Sequence, residues 1–157
     1  MRHLLFALLA ATLVACSPGA GGAAPAASKA VHPESGLEVI PLTVTSASGT
    51  HRFKVEAARS AMEQAKGLMF RTKLGPDEGM IFPMSPPRGA SFWMKNTVIP
   101  LDLIFIAPDG RISNIAANAI PYDLNPLSSI GQVKGVLEIP GGRAAELGIA
   151  PGDKVAW

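Results

Sequence analysis

The sequence predicts a mainly β domain, either an antiparallel sandwich of jelly-roll type or a partly closed barrel, with two short helices. Three observations carry that reading. Apolar and polar residues alternate over short runs, Gly, Pro, Asn and Asp cut those runs at close intervals, and only two stretches have helical signals.

LEVIPLTVTSA (37–47) and THRFKVEAA (50–58) both alternate and flank Ser48-Gly49, the pattern of a hairpin. In SAMEQAKG, Ser60 is an N-cap residue, Glu63 completes a capping box and Gly67 is a stop, so a helix is expected over 61–66. A Gly-Pro-Asp turn at 75–77 precedes a strand over 78–84, EGMIFPM, and Pro86-Pro87-Arg88-Gly89 reads as a loop. The apolar stretch SFWMKNTVIPLDLIFI follows at 91–106. It is short for a membrane span, and two charges and a proline count further against one. It reads as two strands, 90–98 and 101–107, bent at Pro100. Pro108-Asp109-Gly110 is a turn, and RISNIAANAI (111–120) is a strand. Residues 121–134 hold two prolines and no period, and form a long loop. VLEIP (136–140) is a strand, GGRAAELGI (141–149) holds the second helix, stopped at Gly148, and KVAW (154–157) is the last strand. No internal repeat is present.

The domain starts near Gly36, which leaves roughly 120 residues, enough for one modest core. What precedes it has another character. Arg2 and His3 form a basic start, and Leu4–Ala15 is apolar apart from Thr12. That is the plan of a signal peptide, residues 1–15. Leu13-Val14-Ala15-Cys16 resembles the bacterial lipobox, which makes Cys16 the lipidated N-terminus of the mature chain. Ser17 in place of Asp after that cysteine points toward the outer membrane. Residues 16–35 are small, Gly-rich and Pro-rich, the composition of a tether. Cys16 is the only cysteine, so no intramolecular disulfide forms. The expected location is therefore periplasmic, exported and held at a membrane by lipid without spanning it. The 157-residue chain has a formal net charge of +2, and removal of Arg2 leaves +1. Lys and Arg are scattered, which speaks against nucleic acid as a partner.

GLMFR (67–71), DEGMIF (77–82), SFWMKNT (91–97), IPLD (99–102), the Asp109-Gly110 turn, VLEIPGG (136–142) and LGIAPGD (147–153) carry a likeness. Together they resemble the bacterial and archaeal family of unknown function numbered 192 in the domain-of-unknown-function series. The resemblance covers nearly all of residues 38–157. It implies a small β-rich domain, sandwich or jelly-roll-like, often behind a signal peptide or lipobox. It implies no established activity.

The chemistry centres on Lys95-Asn96 inside apolar sequence. If 90–98 is a strand, Phe92, Met94, Asn96 and Val98 share one face and Trp93, Lys95, Thr97 and Ile99 the other. One polar residue then shares a face with large hydrophobes, at a cost of several kcal/mol unless it finds partners. Asp102 and Glu138 also interrupt apolar runs, so an ion pair from Lys95 to one of them is expected, with Arg71 serving the other. Two readings follow. One is a polar network that fixes strand register. The other is a shallow pocket with Trp93 as apolar floor and Lys95, Asn96 and Arg71 as donors to an anionic or sugar-like ligand. The constellation Arg71, Trp93, Lys95, Asn96, Asp102 and Glu138 is the candidate ligand site of a binding module for a small molecule or an envelope protein. The alternatives are an envelope enzyme using Lys95 with a carboxylate as acid and base, and a structural or assembly accessory. Catalysis has little else to stand on. His3 leaves with the signal, His32 lies in the tether, and His51 sits at a hairpin turn without an acidic motif beside it. No cofactor motif is present. Gly141-Gly142 could open an anion site at a helix start, but reads better as a tight turn. The methionines lack the Met-x-Met spacing of a copper site and read as core filling.

Overall fold

The computed structural model describes residues 29–157. The expected signal peptide 1–15, Cys16 and the expected tether up to residue 28 lie outside the described residues. Nine strands and two short helices follow. The strands are β1 (Val39–Ser46), β2 (Gly49–Ala57), β3 (Glu78–Arg88), β4 (Ser91–Phe92), β5 (Leu101–Ile106), β6 (Ile112–Ala119), β7 (Leu127–Ser128), β8 (Val133–Pro140) and β9 (Lys154–Ala156). The helices are α1 (Ala61–Lys66) and α2 (Arg143–Glu146).

Seven strands form one sheet in the order β6-β5-β8-β3-β2-β1-β9, and β4 and β7 pair separately. Arg111 bridges Lys154, so the edge strands β6 and β9 approach each other and the sheet curls into a half-barrel. The hairpin forms at Ser48-Gly49, with Val44 opposite His51 and Ser46 opposite Gly49. One pair departs from the antiparallel expectation: β2 and β3 run parallel, Val55 beside Gly79. A parallel pair needs a crossover, and α1 lies in it. That helix is capped as its sequence demands. The Ser60 side chain accepts from the Glu63 N–H, the Glu63 carboxylate accepts from the Ser60 N–H, and Gly67 ends the helix at φ 48°.

The centre of the sheet is buried on both faces. Every residue of β5 is buried, as are most of β8 and the Gly79–Phe82 stretch of β3. On one face Ile81, Ile104, Ile106, Leu137 and Ile139 pack with Leu42, Phe53 and Val155 inside the curl. On the other, Met80, Phe82, Leu103, Phe105 and Val136 pack under Leu68, Met94 and Phe92. Phe92 wedges between Phe82 and Phe105 at ring distances of 5.1 and 6.4 Å, both edge-on. Gly79 of β3 has no room for a side chain, since a Cβ there would come within 2.4 Å of the Glu138 carbonyl oxygen.

Three stretches differ from the sequence reading, the mildest being 121–134, where the expected loop holds the two-residue β7 and β8 begins early, at Val133. β3 continues through Pro86-Pro87 to Arg88, because an irregularity between Pro83 and Arg88 absorbs the prolines. The expected strand 90–98 is two residues long, and Lys95-Asn96 is a turn. Asn96 has φ 55°, a left-handed conformation that asparagine tolerates better than most residues. The peptides on either side of the turn bond to the 120–125 loop, with Met94 N–H donating to the Asp123 carbonyl and Tyr122 N–H to the Met94 carbonyl. The Lys-Asn pair therefore interrupts the apolar run because the chain turns there, and the strand-face argument does not apply.

Asp102, the second residue of β5, is fully buried. Its carboxylate accepts the backbone N–H of Asn118 at 2.8 Å, of Gly142 at 2.9 Å and of Ala144 at 2.8 Å. One side chain thus ties β5 to β6 and caps α2, whose start is already filled by this carboxylate. We expect Asp102→Ala to lower unfolding free energy by roughly 3–5 kcal/mol in urea denaturation, since it leaves buried donors unpaired.

Candidate functional site

Between α1, the 88–97 segment and the outer face of β3 and β8 lies a cavity of about 490 Å³. Its floor is apolar, with Leu68, Phe82, Met84 and Phe92, and Glu138 rises from β8 into it. Strand alternation puts Glu138 there: Leu137 and Ile139 face the inside of the curl, so Val136 and Glu138 face out toward α1. Glu138 is 5% exposed and has no hydrogen-bond or ion-pair partner among the described residues. Burial alone pushes its carboxyl up to about 8. At neutral pH it is a carboxylic acid, a hydrogen-bond donor aimed at open space. Lys66, Arg88 and Lys95, all exposed, stand at the cavity's rim, and the Thr97 hydroxyl belongs to its wall.

The structure separates the six residues expected to act together. Trp93, Lys95 and Glu138 line the cavity; Arg71, Asn96 and Asp102 do not. The expected ion pair of Lys95 with Asp102 or Glu138 is absent among the described residues. Lys95 is exposed and its ammonium lies 5.2 Å from the Trp93 ring centroid. Trp93 is itself 51% exposed, so it belongs to the rim and not the floor. Asn96 donates to Met69 Sδ at 3.8 Å. Asp102 is committed to backbone donors, as described above.

Arg71 is buried 15 residues after Glu56, and the two carboxylate oxygens of Glu56 take its two terminal nitrogens at 2.9 and 3.1 Å. Its Nε meets Glu34 at 2.9 Å, and Ser35 donates to the far oxygen of Glu56. The 32–37 turn, inside the stretch read as tether, is thereby fastened to the domain. Glu56 escaped the sequence reading because alternation in β2 places it with Arg52 and Lys54, on what looks like a solvated face. The rim cations escaped it too, since Lys66 and Arg88 lie on segments with no apolar run to interrupt. A second hydroxyl–imidazole group exists at the β1–β2 turn, where Ser46 and Ser48 lie 3.1 and 3.0 Å from His51 Nε2. Ser48 also donates to the Leu147 carbonyl, so these contacts fasten the turn to the α2 segment.

Two measurements follow. Lys95→Met should change unfolding free energy by less than about 0.5 kcal/mol, because an exposed lysine over an exposed ring holds little of the fold together. For Glu138, the folded protein keeps the proton that the unfolded chain releases above its ordinary value of 4.5. The unfolded state is therefore favoured progressively as pH rises from 4.5 toward 8. Glu138→Gln should match the parent in urea denaturation below pH 4.5 and exceed it by roughly 4 kcal/mol at pH 8. A gap that did not widen with pH would show that Glu138 is ionised in the folded state.

Comparison with known proteins extends the same outline. No curated protein matches the chain. Among solved structures, a protein of unknown function from Novosphingobium aromaticivorans is 61% identical, with a TM-score of 0.81, covering 89% of this chain and 100% of that one. A "putative transcription regulator" from Sinorhizobium meliloti is 39% identical, with a TM-score of 0.74, covering 76% of this chain and 94% of that one. The family model DUF192, described as Uncharacterized ACR, matches residues 43–157, the span from β1 through β9 that builds the half-barrel and its cavity. With a family match over most of its length and a close structural relative at that identity, this chain belongs to the DUF192 family.

Proposed function

We propose that this chain is an exported, lipid-anchored domain that faces the periplasm and binds a small anionic or glycan ligand in the Glu138 cavity. The leader 1–15 and Cys16 support the location, and Ser17 supports the outer membrane as its site. Among the described residues no helix is long and apolar enough to cross a membrane, and an anchor at Cys16 asks for none.

The observation that carries the binding reading is Glu138. A buried carboxyl without a partner lowers stability at neutral pH, and residues kept against stability are a mark of function. It opens into a cavity whose size fits a small ligand. A carboxylic acid at the floor donates to a ligand hydroxyl, carbonyl or carboxylate. Lys66, Arg88 and Lys95 at the mouth neutralise an anionic group. Trp93 supplies an apolar ring face once Lys95 turns from it to the ligand.

The enzyme reading loses its chosen pair, since Lys95 meets neither Asp102 nor Glu138. The regulator named in the Sinorhizobium relative gains no support in this chain. Its two helices among the described residues have six and four residues, and the sequence has no basic run.

The test uses glucuronate, an acidic sugar, with inorganic phosphate alongside. Glucuronate should raise the thermal midpoint of the parent, by about 2.7 kcal/mol of stability at a hundredfold excess over the dissociation constant. Glu138→Leu should remove that response while remaining folded. Equal shifts in parent and variant, or none up to tens of millimolar, would reject the cavity as the site for this class of ligand.

A further inference from the structure

The methionine at 62 and the aromatic at 70 are not core residues, and they begin a second feature. Met62 is 83% exposed, Phe70 67%, Trp93 51%, Tyr122 61% and Leu124 62%. They come from three separate segments, yet the backbone stitches them into one belt. Met62 and Phe70 line a common groove. The Phe70 N–H donates to the Asn96 carbonyl, beside Trp93 in the turn, and the Tyr122 N–H donates to the carbonyls of Met94 and Thr97. Trp93 and Leu124 line a common groove in turn. Isolated exposed hydrophobics need no explanation; a contiguous set does.

The geometry points to this belt as a face that docks on an anionic lipid bilayer, with the cavity mouth turned toward the membrane. Charge agrees with that partner. Lys66 and Lys95 sit in the belt and have no ion-pair partner among the described residues. Glu34 pairs with Arg71, while Glu63 and Asp123 bond to neutral amides and keep their charge, so it is the two unpaired lysines and not a net positive surface that would meet the headgroups. Exposed aromatics between free lysines are what the headgroup layer of an anionic bilayer accepts. The route of the chain agrees as well. Lys29, where the described residues begin, pairs with Glu38, and Glu38 pairs with Arg59 at the start of α1. Leu37 lines the same groove as Met62 and Phe70. The segment carrying the apolar run and Cys16 therefore joins the domain at the belt's Met62 end. The backbone adds a third argument. Phe70 and Tyr122 stand at φ 63° and 64°, a region that bulky residues enter only under strain. Strained backbone that keeps aromatic rings exposed fits a face held ready for a partner.

The test is Trp93 fluorescence of the full chain on vesicles of phosphatidylglycerol and phosphatidylcholine, parent against a Phe70→Asn/Tyr122→Asn double variant. Both carry the same residues 1–28, so any difference belongs to the face. Asparagine accepts the left-handed conformation, so the double variant should unfold at the same or higher denaturant concentration. Residues 1–28 hold both on the vesicles whatever the face does, so the readout is Trp93 in a Trp157→Phe background. Lipids brominated in the acyl chain should quench Trp93 of the parent on anionic vesicles, less on pure phosphatidylcholine or in 1 M salt, and at least about twofold less in the double variant. Equal quenching in parent and double variant overturns the proposal, as does a Trp93 unaffected by the brominated lipids. Self-association in sedimentation that the double variant abolishes overturns it in favour of a second copy on this face.

Discussion

The constraint on which the rest depends is that the centre of the sheet, Gly79–Phe82 of β3, Leu101–Ile106 of β5 and Gly135–Ile139 of β8, is covered on both faces. The ends of β3 and β8 can turn a polar side chain such as Arg88 to water; these three stretches cannot. Each polar residue on them must find protein partners or give up its charge. Asp102 and Glu138 are the two solutions. Asp102 keeps its place with three backbone donors and becomes the knot joining β5, β6 and α2. Glu138 has no donor and holds its proton. The two residues look equivalent in sequence, each an acid inside an apolar run. Only the other ends of the bonds, supplied by residues far along the chain, divide them into a structural tie and an unpaired acid on the cavity wall.

What was legible in the sequence was local. The capping box of α1 needs only residues three apart, and the Ser48-Gly49 hairpin only its flanking alternation, and both form as read. The Lys95-Asn96 turn was misread because its apolar neighbours gave a strand-like pattern, while the deciding facts were a left-handed asparagine and bonds to the 120–125 loop. The Arg71–Glu56 pair was invisible for a related reason. Glu56 sits at a position where alternation predicts water, and it is buried by the 32–37 turn, a segment whose composition gave no reason to expect packing. Of the six residues put forward as a site, the two that mark the rim and the one that makes the floor share a cavity. The other three were chosen by the same rule, polar within apolar, and are explained by the fold.

The cavity and the belt share the 93–97 turn. Lys95 and Trp93 serve both, one at the mouth and one in the exposed row, so a molecule held at the cavity and a surface pressed on the belt would touch the same few side chains. On the binding and docking proposed above, the cavity mouth would open toward the bilayer, and the neutral Glu138 carboxyl would accept an anion that an ionised one would repel.

The pairing of Thr43 with Ala156 has a temporal side. β1 is made among the first strands and β9 is the last in the order, and the sheet's curl closes only when they meet. Between them, β5 waits for β8 and for the Gly142 and Ala144 amides that neutralise Asp102. Contacts this distant in sequence form late and slowly. A chain emerging one residue after another therefore stays open, with β1 unpaired on one side, until nearly all of it has appeared. The topology itself thus postpones compaction until the end of synthesis.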